Sequence, residues 1–254
     1  MFIEERYKYI LDLLDIQGKV LVKDLSKEFN ISESMIRKDL KTLEKNNLLK
    51  RTYGGAISIK HTFVNCESFN TRIEKNIDLK KVVARKAFEQ INDNDTIFLD
   101  ASTISYMIAK LIVENDKHIT VITNMFEISS LIPEKSKTHF IFIGGDYNAF
   151  VGGSIGSYSI EQIKKYRCNK AFLGCSGIDL KDGAISTSLS EDASTKSAIM
   201  SISKELFLIM LNEKFEITGS FPFANAIDFN SIITESSPDK SIVNLLKEYY
   251  VNLI

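Results

Sequence analysis

Polar side chains follow several of the short apolar segments in the larger, C-terminal part of this chain. The segment TIFLDASTIS places Asp100, Ser102, Thr103 and Ser105 directly after a predicted strand and at the start of a predicted helix. Free backbone N–H groups and the helix dipole attract a phosphate or a carboxylate at such a junction. We therefore expect an anion-binding site here.

Three further junctions have the same character. The segments TVITN, FIFIGGD and AFLGCSGID bring Thr123 and Asn124, Gly144 and Gly145, and Gly174, Gly177 and Asp179 to the ends of predicted strands. Each of these alone is typical of a helix cap or a loop glycine. Their recurrence predicts a shared ligand site, because the carboxyl ends of parallel strands meet at one edge of a sheet.

A further acid and base are four residues apart in the segment SEDASTKSAIM. This spacing places Asp192 and Lys196 on one face of a helix. Two interpretations fit: a surface ion pair, or an acid and a cation that face the ligand site. We favour the second, since the neighbouring junctions already predict a pocket.

The elements that position these side chains alternate between apolar strands and amphipathic helices. Strands are predicted over residues 96–99, 119–122, 140–143, 170–173, 206–211 and 231–234, and helices over residues 76–90, 105–114, 126–131, 157–166, 191–204 and 240–253. Strands that are apolar on both faces need cover on both sides, which is typical of a mostly parallel sheet with helical crossovers. Residues 76–254 are therefore predicted to form an α/β domain.

Residues 32–51 (SESMIRKDLKTLEKNNLLKR) predict a capped helix with two different faces. Ile36, Leu40 and Leu43 form an apolar stripe at the helical period. The polar face and the strand that follows supply the candidate DNA-binding residues Ser32, Ser34, Arg37, Lys38, Lys41, Lys45, Lys50 and Arg51. In isolation, this face would fit the solvated side of any amphipathic helix equally well.

The elements around this helix favour DNA binding. Helices are predicted over residues 4–16 and 23–29, a short extended piece over residues 20–22, and a hairpin over residues 48–59. Three helices with a tight turn before the third are the helix-turn-helix plan, in which the later helix enters the major groove. We therefore predict a winged helix-turn-helix domain over residues 1–59 and a linker over residues 60–75.

Composition narrows the classes of protein that fit. The 254 residues are 44% hydrophobic, which suffices for a buried core. Residues 1–60 hold twelve Lys and Arg against nine Asp and Glu, and the remainder holds twenty against twenty-four. A weakly charged protein with a basic front suits sequence-selective DNA binding better than bulk coating of nucleic acid.

The sequence also predicts where the protein works and what it lacks. No apolar run approaches the roughly 18 to 20 residues of a membrane span, and the charged N-terminus is unlike a secretory signal, so we expect a cytoplasmic protein. The three cysteines lack the paired spacing of a disulfide framework or a zinc site. The three histidines have no neighbouring ligands at metal spacing. We expect neither a metal nor a cofactor.

The segment NISESMIRKDLKTLEKNNLLKRTYGGA and the elements around it resemble the DNA-binding domain of the DeoR family of bacterial transcription regulators. Met35 stands where relatives usually have threonine, so we expect a different operator preference. Arg37 and Lys38 are best placed to contact bases or phosphates, because an arginine fork suits guanine O6 and N7 and both cations suit phosphate oxygens. Asp39 is expected to orient one of these two side chains.

Residues 76–235 resemble the effector-sensing domain of the same family, which is itself similar to sugar-phosphate isomerases of the ribose-5-phosphate isomerase type. The resemblance implies a repressor of carbohydrate-metabolism genes that binds a phosphorylated sugar or a related metabolite. The effector-binding residues that it implies by position are Asp100, Ser102, Thr103, Thr123, Asn124, Lys196 and Lys214. We add Ser105, Gly144, Gly145, Asp179 and Asp192 from their places at the strand ends and on the predicted helix.

The main alternative is an active sugar-phosphate isomerase fused to a DNA-binding domain. An isomerase needs a carboxylate base, and GCSGID resembles the isomerase segment Gly-Ala-Asp-Glu-x-Asp with Ser176 and Gly177 in place of the acidic pair. This favours a sensor without enzymatic activity. A purely architectural DNA-binding protein would leave the α/β domain unexplained. We also expect a homodimer or homotetramer, because dimers read paired half-sites.

Overall fold

The computed structural model describes residues 3–17, 19–46, 48–52, 54–58 and 69–254. The chain forms two compact units, Met1–Asn65 and Cys66–Ile254. The predicted fold class is confirmed, since helix-turn-helix elements precede an α/β unit with a parallel sheet.

The described part of the N-terminal unit contains α1 Ile3–Gln17, β1 Lys19–Leu21, α2 Val22–Phe29, α3 Glu33–Lys45, β2 Leu49–Thr52 and β3 Gly55–Ser58. Strand β3 lies between β1 and β2 and pairs antiparallel with both. Glycine is required at the start of β3, because a Cβ at Gly55 would lie 2.0 Å from the carbonyl oxygen of Val20. Strand β1 thus adds a third strand to the predicted wing.

Helix α3 begins where the sequence predicts because Ser32 caps it. The Ser32 hydroxyl accepts a hydrogen bond from the amide of Met35 at 3.3 Å. The preceding helix ends at Asn30, which is left-handed with φ 52°. The apolar stripe of α3 shares one core with α1 and α2, whose buried members include Ile10, Leu14, Leu25, Ile36, Leu40 and Leu43. The polar face of α3 is left exposed.

The C-terminal unit alternates strands and helices. In chain order these are α4 Phe69–Glu74, α5 Ile77–Glu89, β4 Thr96–Leu99, α6 Thr103–Glu114, β5 Thr120–Thr123, a 3-10 helix Phe126–Leu131, β6 His139–Phe142, β7 Asp146–Asn148, β8 Gly153–Ile155, α7 Ser157–Ile163, β9 Cys168–Leu173, β10 Gly177–Ile178, β11 Ala184–Thr187, α8 Ser190–Ser201, β12 Ser203–Ile209, a 3-10 helix Asn212–Glu216, β13 Phe221–Asn225, a 3-10 helix Ala226–Asp228, β14 Ser231–Ile233, α9 Lys240–Glu248 and β15 Asn252–Leu253.

The main sheet of residues 69–254 has seven strands in the order β15-β14-β12-β9-β4-β5-β6, and every adjacent pair is parallel. Consecutive strand residues point to opposite faces: Ile97 and Leu99 pack in a core with α5 and α6, whereas Phe98 packs in a second core with α8 and α9. Cover on both faces explains the apolar strand sequences. The edge strand β6 departs from this expectation, because His139 and Phe142 are exposed.

Smaller antiparallel sheets accompany the main one within residues 69–254. Strands β7 and β8 form a hairpin, and β10, β11 and β13 form a sheet in that order. These strands have two to five residues, which is too short for a clear alternating pattern. For this reason the sequence did not predict them.

The predicted linker is wrong over residues 69–74, where the structure has helix α4. Phe69 at its start is only 7% exposed and packs edge-on against Tyr106, with ring centroids 5.5 Å apart. A helix of six residues is too short to show a helical period and is unstable by itself, so tertiary packing decides that it forms. Residues 60–68 lie outside the described part of the chain.

The predicted C-terminal helix is too long. Helix α9 ends at Glu248, Tyr250 is left-handed with φ 55°, and β15 then pairs in parallel with β14. Ser203 and Lys204 likewise begin β12 and do not extend α8. In both places pairing with a neighbouring strand outweighs the local preference for helix.

Candidate functional site

The candidate ligand site lies where the strand order of the main sheet reverses. From β4 the chain proceeds to β5 and β6 on one side, and then returns to β9, β12, β14 and β15 on the other. Ligands of open α/β sheets bind outside the carboxyl ends of the strands at such a switch point. Asp100 follows β4 and Gly174 follows β9, so these two residues mark the switch point in this sheet.

Asp100 is the centre of the polar contacts at this point, although its side chain is only 1% exposed. Its Oδ1 accepts a hydrogen bond from the Ser105 hydroxyl at 2.8 Å. Its Oδ2 accepts one from the amide of Gly174 at 2.7 Å and another from Nζ of Lys196. Both oxygens of this carboxylate are therefore engaged within the fold.

The start of α6 is organised around the same carboxylate. Ser102 caps the helix, since its Oγ accepts from the amide of Ser105 at 3.1 Å and donates to the Ser105 hydroxyl at 2.9 Å. The amides of Thr103 and Ile104 in the first turn have no intrahelical acceptor, as in any α-helix. These amides can serve an anion, whereas the two serine hydroxyls are already engaged with each other and with Asp100.

Lys196 and Asp192 are both buried on α8, so the surface interpretation of this pair is wrong. Nζ of Lys196 lies 3.8 Å from Oδ1 of Asp192 and 5.8 Å from the ring centroid of Phe223. The Thr187 hydroxyl donates a hydrogen bond to Asp192. We call Asp100, Ser102, Ser105, Thr187, Asp192 and Lys196 the charged cluster.

Burial and charge oppose each other in this cluster. Burial by itself lowers the pKa of Lys196, but the carboxylates of Asp100 and Asp192 outweigh it, and the pKa of the ammonium is raised. Burial raises the pKa of Asp192 against the opposing effect of Lys196 and Thr187. The cluster therefore brings two carboxyl groups and one ammonium together in a buried place.

Additional cations lie close to the charged cluster. Burial raises the pKa of the Cys175 thiol to about 11, while the charges of Lys214 and Lys196 act to lower it. Lys214 is half-buried in the 3-10 helix Asn212–Glu216. The charge of Arg72 acts on Asp192 in the same sense as Lys196. Sequence reasoning missed Arg72 because it lies in the predicted linker.

The sequence indicated Gly174 only as a residue at a strand end, so the role of its amide was missed, and Thr187 was missed altogether. A Cβ at Gly174 would lie 2.8 Å from Cβ of Ser102, so only glycine lets its amide reach Asp100. The glycine was visible in the sequence, but its partner was not.

Thr123 and Asn124 are buried at the end of β5, next to β4. The Thr123 hydroxyl accepts from the amide of Met125 at 3.1 Å, and Nδ2 of Asn124 donates to the carbonyl of Ser154 at 2.9 Å. Oδ1 of Asn124 is buried and has no hydrogen-bond donor among the described residues. A ligand hydroxyl would satisfy this acceptor.

The structure gives Gly144, Gly145 and Asp179 contacts of a different kind. The Gly144 carbonyl accepts from the side chains of Ser159 and Gln162 at 3.0 and 3.1 Å, and Gly145, with φ +142°, lies against Ser159. Asp179 lies in the turn between β10 and β11 and accepts from the amide of Lys181 at 2.9 Å. These contacts fasten turns and do not join the charged cluster, so an effector role for the three residues stays a prediction.

The candidate DNA-binding residues of α3 are exposed. We call Ser32, Ser34, Arg37, Lys38, Lys41 and Lys45 the recognition face. Arg37 pairs with Glu33 at 2.5 Å on the helix surface, where both side chains remain partly solvated. Arg51 on β2 is exposed and its amide donates to Glu44 at 2.8 Å, whereas the side chain of Lys50 lies outside what the structure describes.

The expectation for Asp39 is wrong. Its side chain is 2% exposed and accepts a hydrogen bond from Nε of Arg6 in α1 at 2.7 Å. Asp39 therefore fixes α3 to α1 and does not orient Arg37 or Lys38.

Among the described residues, no group of three or more His, Cys, Asp and Glu side chains is placed to hold a metal ion. No helix in the described ranges is long and apolar enough to span a membrane.

Comparison with known proteins finds matches over both units. The DeoR-like helix-turn-helix domain matches residues 6–62, and the DeoR C terminal sensor domain matches residues 75–236. The L-fucose operon activator of Haemophilus influenzae is 35% identical over 245 residues, which are 96% of this chain and 95% of that protein. The glycerol-3-phosphate regulon repressor of Escherichia coli is 28% identical over 249 residues, 98% of this chain and 97% of that protein.

A further relative and a solved structure are more distant. The lactose phosphotransferase system repressor of Staphylococcus epidermidis is 27% identical over 235 residues, 92% of each chain. Ribose 5-phosphate isomerase A of Methanocaldococcus jannaschii has a TM-score of 0.40 and 16% identity over 56% of this chain and 55% of that chain. A likeness this low carries no argument about function.

Proposed function

The chain belongs to the DeoR family of transcription regulators, and we propose that it represses carbohydrate-metabolism genes and responds to a phosphorylated sugar. The observation that carries this proposal is the presence of two different charged sites in one chain. One is the exposed recognition face, and the other is the buried charged cluster at the switch point of a parallel sheet. This function places the protein in the cytoplasm, where the chromosome is.

The recognition face supports operator binding. Its cations project from a helix whose opposite side is anchored in the core by Ile36, Leu40 and Leu43. Exposed Arg and Lys side chains neutralise phosphates, and an arginine fork reads guanine in the major groove. Arg37 pairs with one surface carboxylate, Glu33. Breaking an exposed ion pair costs little free energy, so Arg37 can readily pair with a phosphate instead.

The charged cluster supports recognition of a polyhydroxylated anion. Carboxylates and the unsatisfied Oδ1 of Asn124 accept hydrogen bonds from sugar hydroxyls. The phosphate would be met by the first-turn amides of α6, with Lys214 supplying charge. Lys196 is already shared between Asp100 and Asp192, so it orients these carboxylates more than it neutralises the phosphate.

The proposed assembly is a homodimer or homotetramer. One helix-turn-helix supplies few specific contacts, and two related by a twofold axis read paired half-sites about one helical turn apart. Effector binding would lower operator affinity if it favours the arrangement that is free of DNA. Typical coupling of this kind changes affinity by about 5- to 150-fold.

We propose that the protein is not an enzyme. In the segment that resembles the isomerase sequence, Ser176 and Gly177 stand in place of the acidic pair, and the Ser176 hydroxyl lies 2.8 Å from that of Ser188. The remaining candidate base, Asp179, is engaged with the amide of its own turn. Transcription regulators among the relatives support the same conclusion.

A thermal-shift screen of the full-length protein tests this function. The panel contains ribose 5-phosphate, glucose 6-phosphate, fructose 1-phosphate and glycerol 3-phosphate, each beside its unphosphorylated parent. A ligand at a hundred times its dissociation constant stabilises the fold by roughly 2.7 kcal/mol. We expect a shift with a phosphate and none with its parent, and we expect it to disappear in Thr103→Leu.

The screen needs a DNA arm and a chemical arm. The duplex is one selected by the wild-type protein from a random pool, and the phosphate that shifts the melting temperature should also change the affinity for this duplex. Turnover of any panel member that is lost in Asp179→Asn would refute the proposal of a sensor without activity. Absence of any shift would refute the proposed effector class and leave the DNA-binding unit untouched.

A further inference from the structure

Helix α4 is fastened to the turn of the β7–β8 hairpin. The guanidinium of Arg72 donates hydrogen bonds to the carbonyls of Phe150 and Val151 at 2.9 and 2.8 Å. Gly152, the next residue of that turn, has φ +82°, and a Cβ there would lie 3.1 Å from Cβ of Phe69 in α4. The turn and α4 therefore move together or separate by breaking two hydrogen bonds.

The other end of the hairpin is fastened to the ligand site. The amide of Ser154 in β8 donates to the carbonyl of Asn124 at 2.8 Å, and Nδ2 of Asn124 donates to the carbonyl of Ser154 at 2.9 Å. The amide of Gly156, just after β8, donates to the Thr195 hydroxyl at 3.2 Å. Thr195 precedes Lys196 on α8, so both rims of the site hold the hairpin.

The charge of Arg72 also acts on a residue of the charged cluster. Burial raises the pKa of Asp192, and the positive charge of Arg72 is among the influences that oppose it. An anionic ligand near Asp192 changes the field at Arg72, and the carbonyls of the hairpin turn compete for the same guanidinium. The position of Arg72 is therefore sensitive to what occupies the site.

The place of α4 in the chain gives this sensitivity a consequence. It is the first described element of the C-terminal unit, and the wing strand β3 ends at Ser58. Among the described elements of the C-terminal unit, α4 is therefore the one nearest to the wing along the chain. Its other anchors are Phe69 against Tyr106 in α6 and the Lys80 ammonium, which donates to the Arg72 carbonyl.

We propose that Arg72 couples the effector site to the DNA-binding unit. The inference rests on the proposed function and adds the route: Asn124 and α8 move the hairpin, the hairpin turn moves Arg72, and α4 transmits the change along the chain. Coupling through contiguous hydrogen bonds and packed side chains is physically sufficient for such a route. Arg72 is a positioning residue in this scheme and is not required for binding either DNA or effector.

The test compares full-length wild type, Arg72→Gln and the control Arg85→Gln, whose arginine is exposed on α5. Affinity for the selected duplex is measured by fluorescence anisotropy with and without the panel phosphate that gives the largest thermal shift. The coupling factor is the ratio of the two dissociation constants. We expect about 5- to 150-fold in wild type and in Arg85→Gln, and a factor close to one in Arg72→Gln, with its thermal shift and its ligand-free affinity for DNA retained.

The outcomes separate this inference from the proposed function. A wild type whose DNA affinity is unchanged by every phosphate refutes the proposed function itself. A responsive wild type with an equally responsive Arg72→Gln overturns the role of Arg72 alone.

A second measurement needs no variant and so does not depend on how Arg72→Gln folds. Hydrogen exchange of the wild-type protein is followed with and without the same phosphate. We expect the exchange rates of amides in residues 69–74 and 148–152 to change several-fold. Protection confined to α6 and α8, with residues 69–74 unchanged, would overturn the proposed route.

Discussion

The recognition face and the charged cluster use similar side chains in opposite ways. On α3 the Arg37 side chain is 56% exposed and its carboxylate partner Glu33 is 38% exposed. In the cluster, the side chains of Lys196 and Asp100 are 6% and 1% exposed. The first arrangement leaves a cation ready for an outside partner, whereas the second commits it to partners within the fold.

This difference teaches what each region can tolerate. An exposed ion pair contributes about 0–1 kcal/mol, so its loss alters binding and leaves stability nearly unchanged. A buried pair costs much to break, because the remaining charge stays in a poorly solvated place. Substitutions on the recognition face should therefore separate function from stability, and substitutions in the cluster should not.

The largest effect is expected for Lys196→Met. It leaves Asp100 and Asp192 buried together without their cation, which should lower the free energy of unfolding by about 3–5 kcal/mol. Unfolding in guanidinium chloride, followed by circular dichroism, measures this loss. Lys204→Met, at an exposed position of β12, is the control. Adding Asp100→Asn to Lys196→Met should restore part of the loss, and an unchanged midpoint in the single variant would contradict the buried pair.

Asp39→Ala should show that α3 also contains a buried charged residue that stabilises the fold. It leaves the Arg6 guanidinium unpaired within the N-terminal core, and the expected loss is about 3 kcal/mol. Hydrogen exchange of the α1 and α3 amides measures the stability of this unit, with Asp12→Ala on the exposed side of α1 as the control. If the amides of α1 and α3 were fully protected from exchange in Asp39→Ala, the pair with Arg6 would not stabilise this unit. The predicted role of Asp39 in orienting Arg37 or Lys38 would then be favoured.

Arg37→Ala should weaken DNA binding by roughly 1–3 kcal/mol and reduce its salt dependence by about one phosphate contact. Its stability should change by less than about 0.5 kcal/mol, because the pair with Glu33 is exposed. Fluorescence anisotropy at several salt concentrations measures the affinity for DNA and its salt dependence. Arg85→Ala, which removes an exposed arginine from α5, is the control. Normal binding by Arg37→Ala would show that a surface other than the recognition face contacts DNA.

The smallest effect concerns Glu191, the exposed neighbour of buried Asp192 on α8. Hydrogen bonds from its own amide and from Ser190 lower the pKa of Glu191, whereas burial raises the pKa of Asp192. A lowered carboxyl pKa contributes stability above the unfolded pKa, and this is lost as the pH falls through the folded value.

Glu191→Gln should accordingly be slightly less stable than wild type at pH 7 and equal to it near pH 2. Melting temperatures across this range measure the difference, and Glu205→Gln on β12 controls for loss of a surface carboxylate. A difference that is the same at both ends of the range would contradict the lowered pKa.

The sequence alone was sufficient for features with a local cause. Ser32 caps α3 through an amide three residues away, and Ile36, Leu40 and Leu43 share one face because the helical period places them there. Ser102 caps α6 in the same way, although the predicted helix began two residues late, at Ser105. Alternating apolar strands and helices likewise predicted a covered parallel sheet, since each strand carries its own pattern.

Tertiary structure decided the contacts between distant parts of the chain. Lys196 meets Asp100 across 96 residues, and Arg6 meets Asp39 across 33. Helix α4 forms because Phe69 packs against Tyr106, and strand β15 forms because it pairs with β14. Neither segment has a local sequence pattern strong enough to predict it. The sequence determined which side chains stand at the ends of its elements, but only the packing of those elements decided which of them became partners, because long-range contacts depend on strand order and a local period carries no information about it.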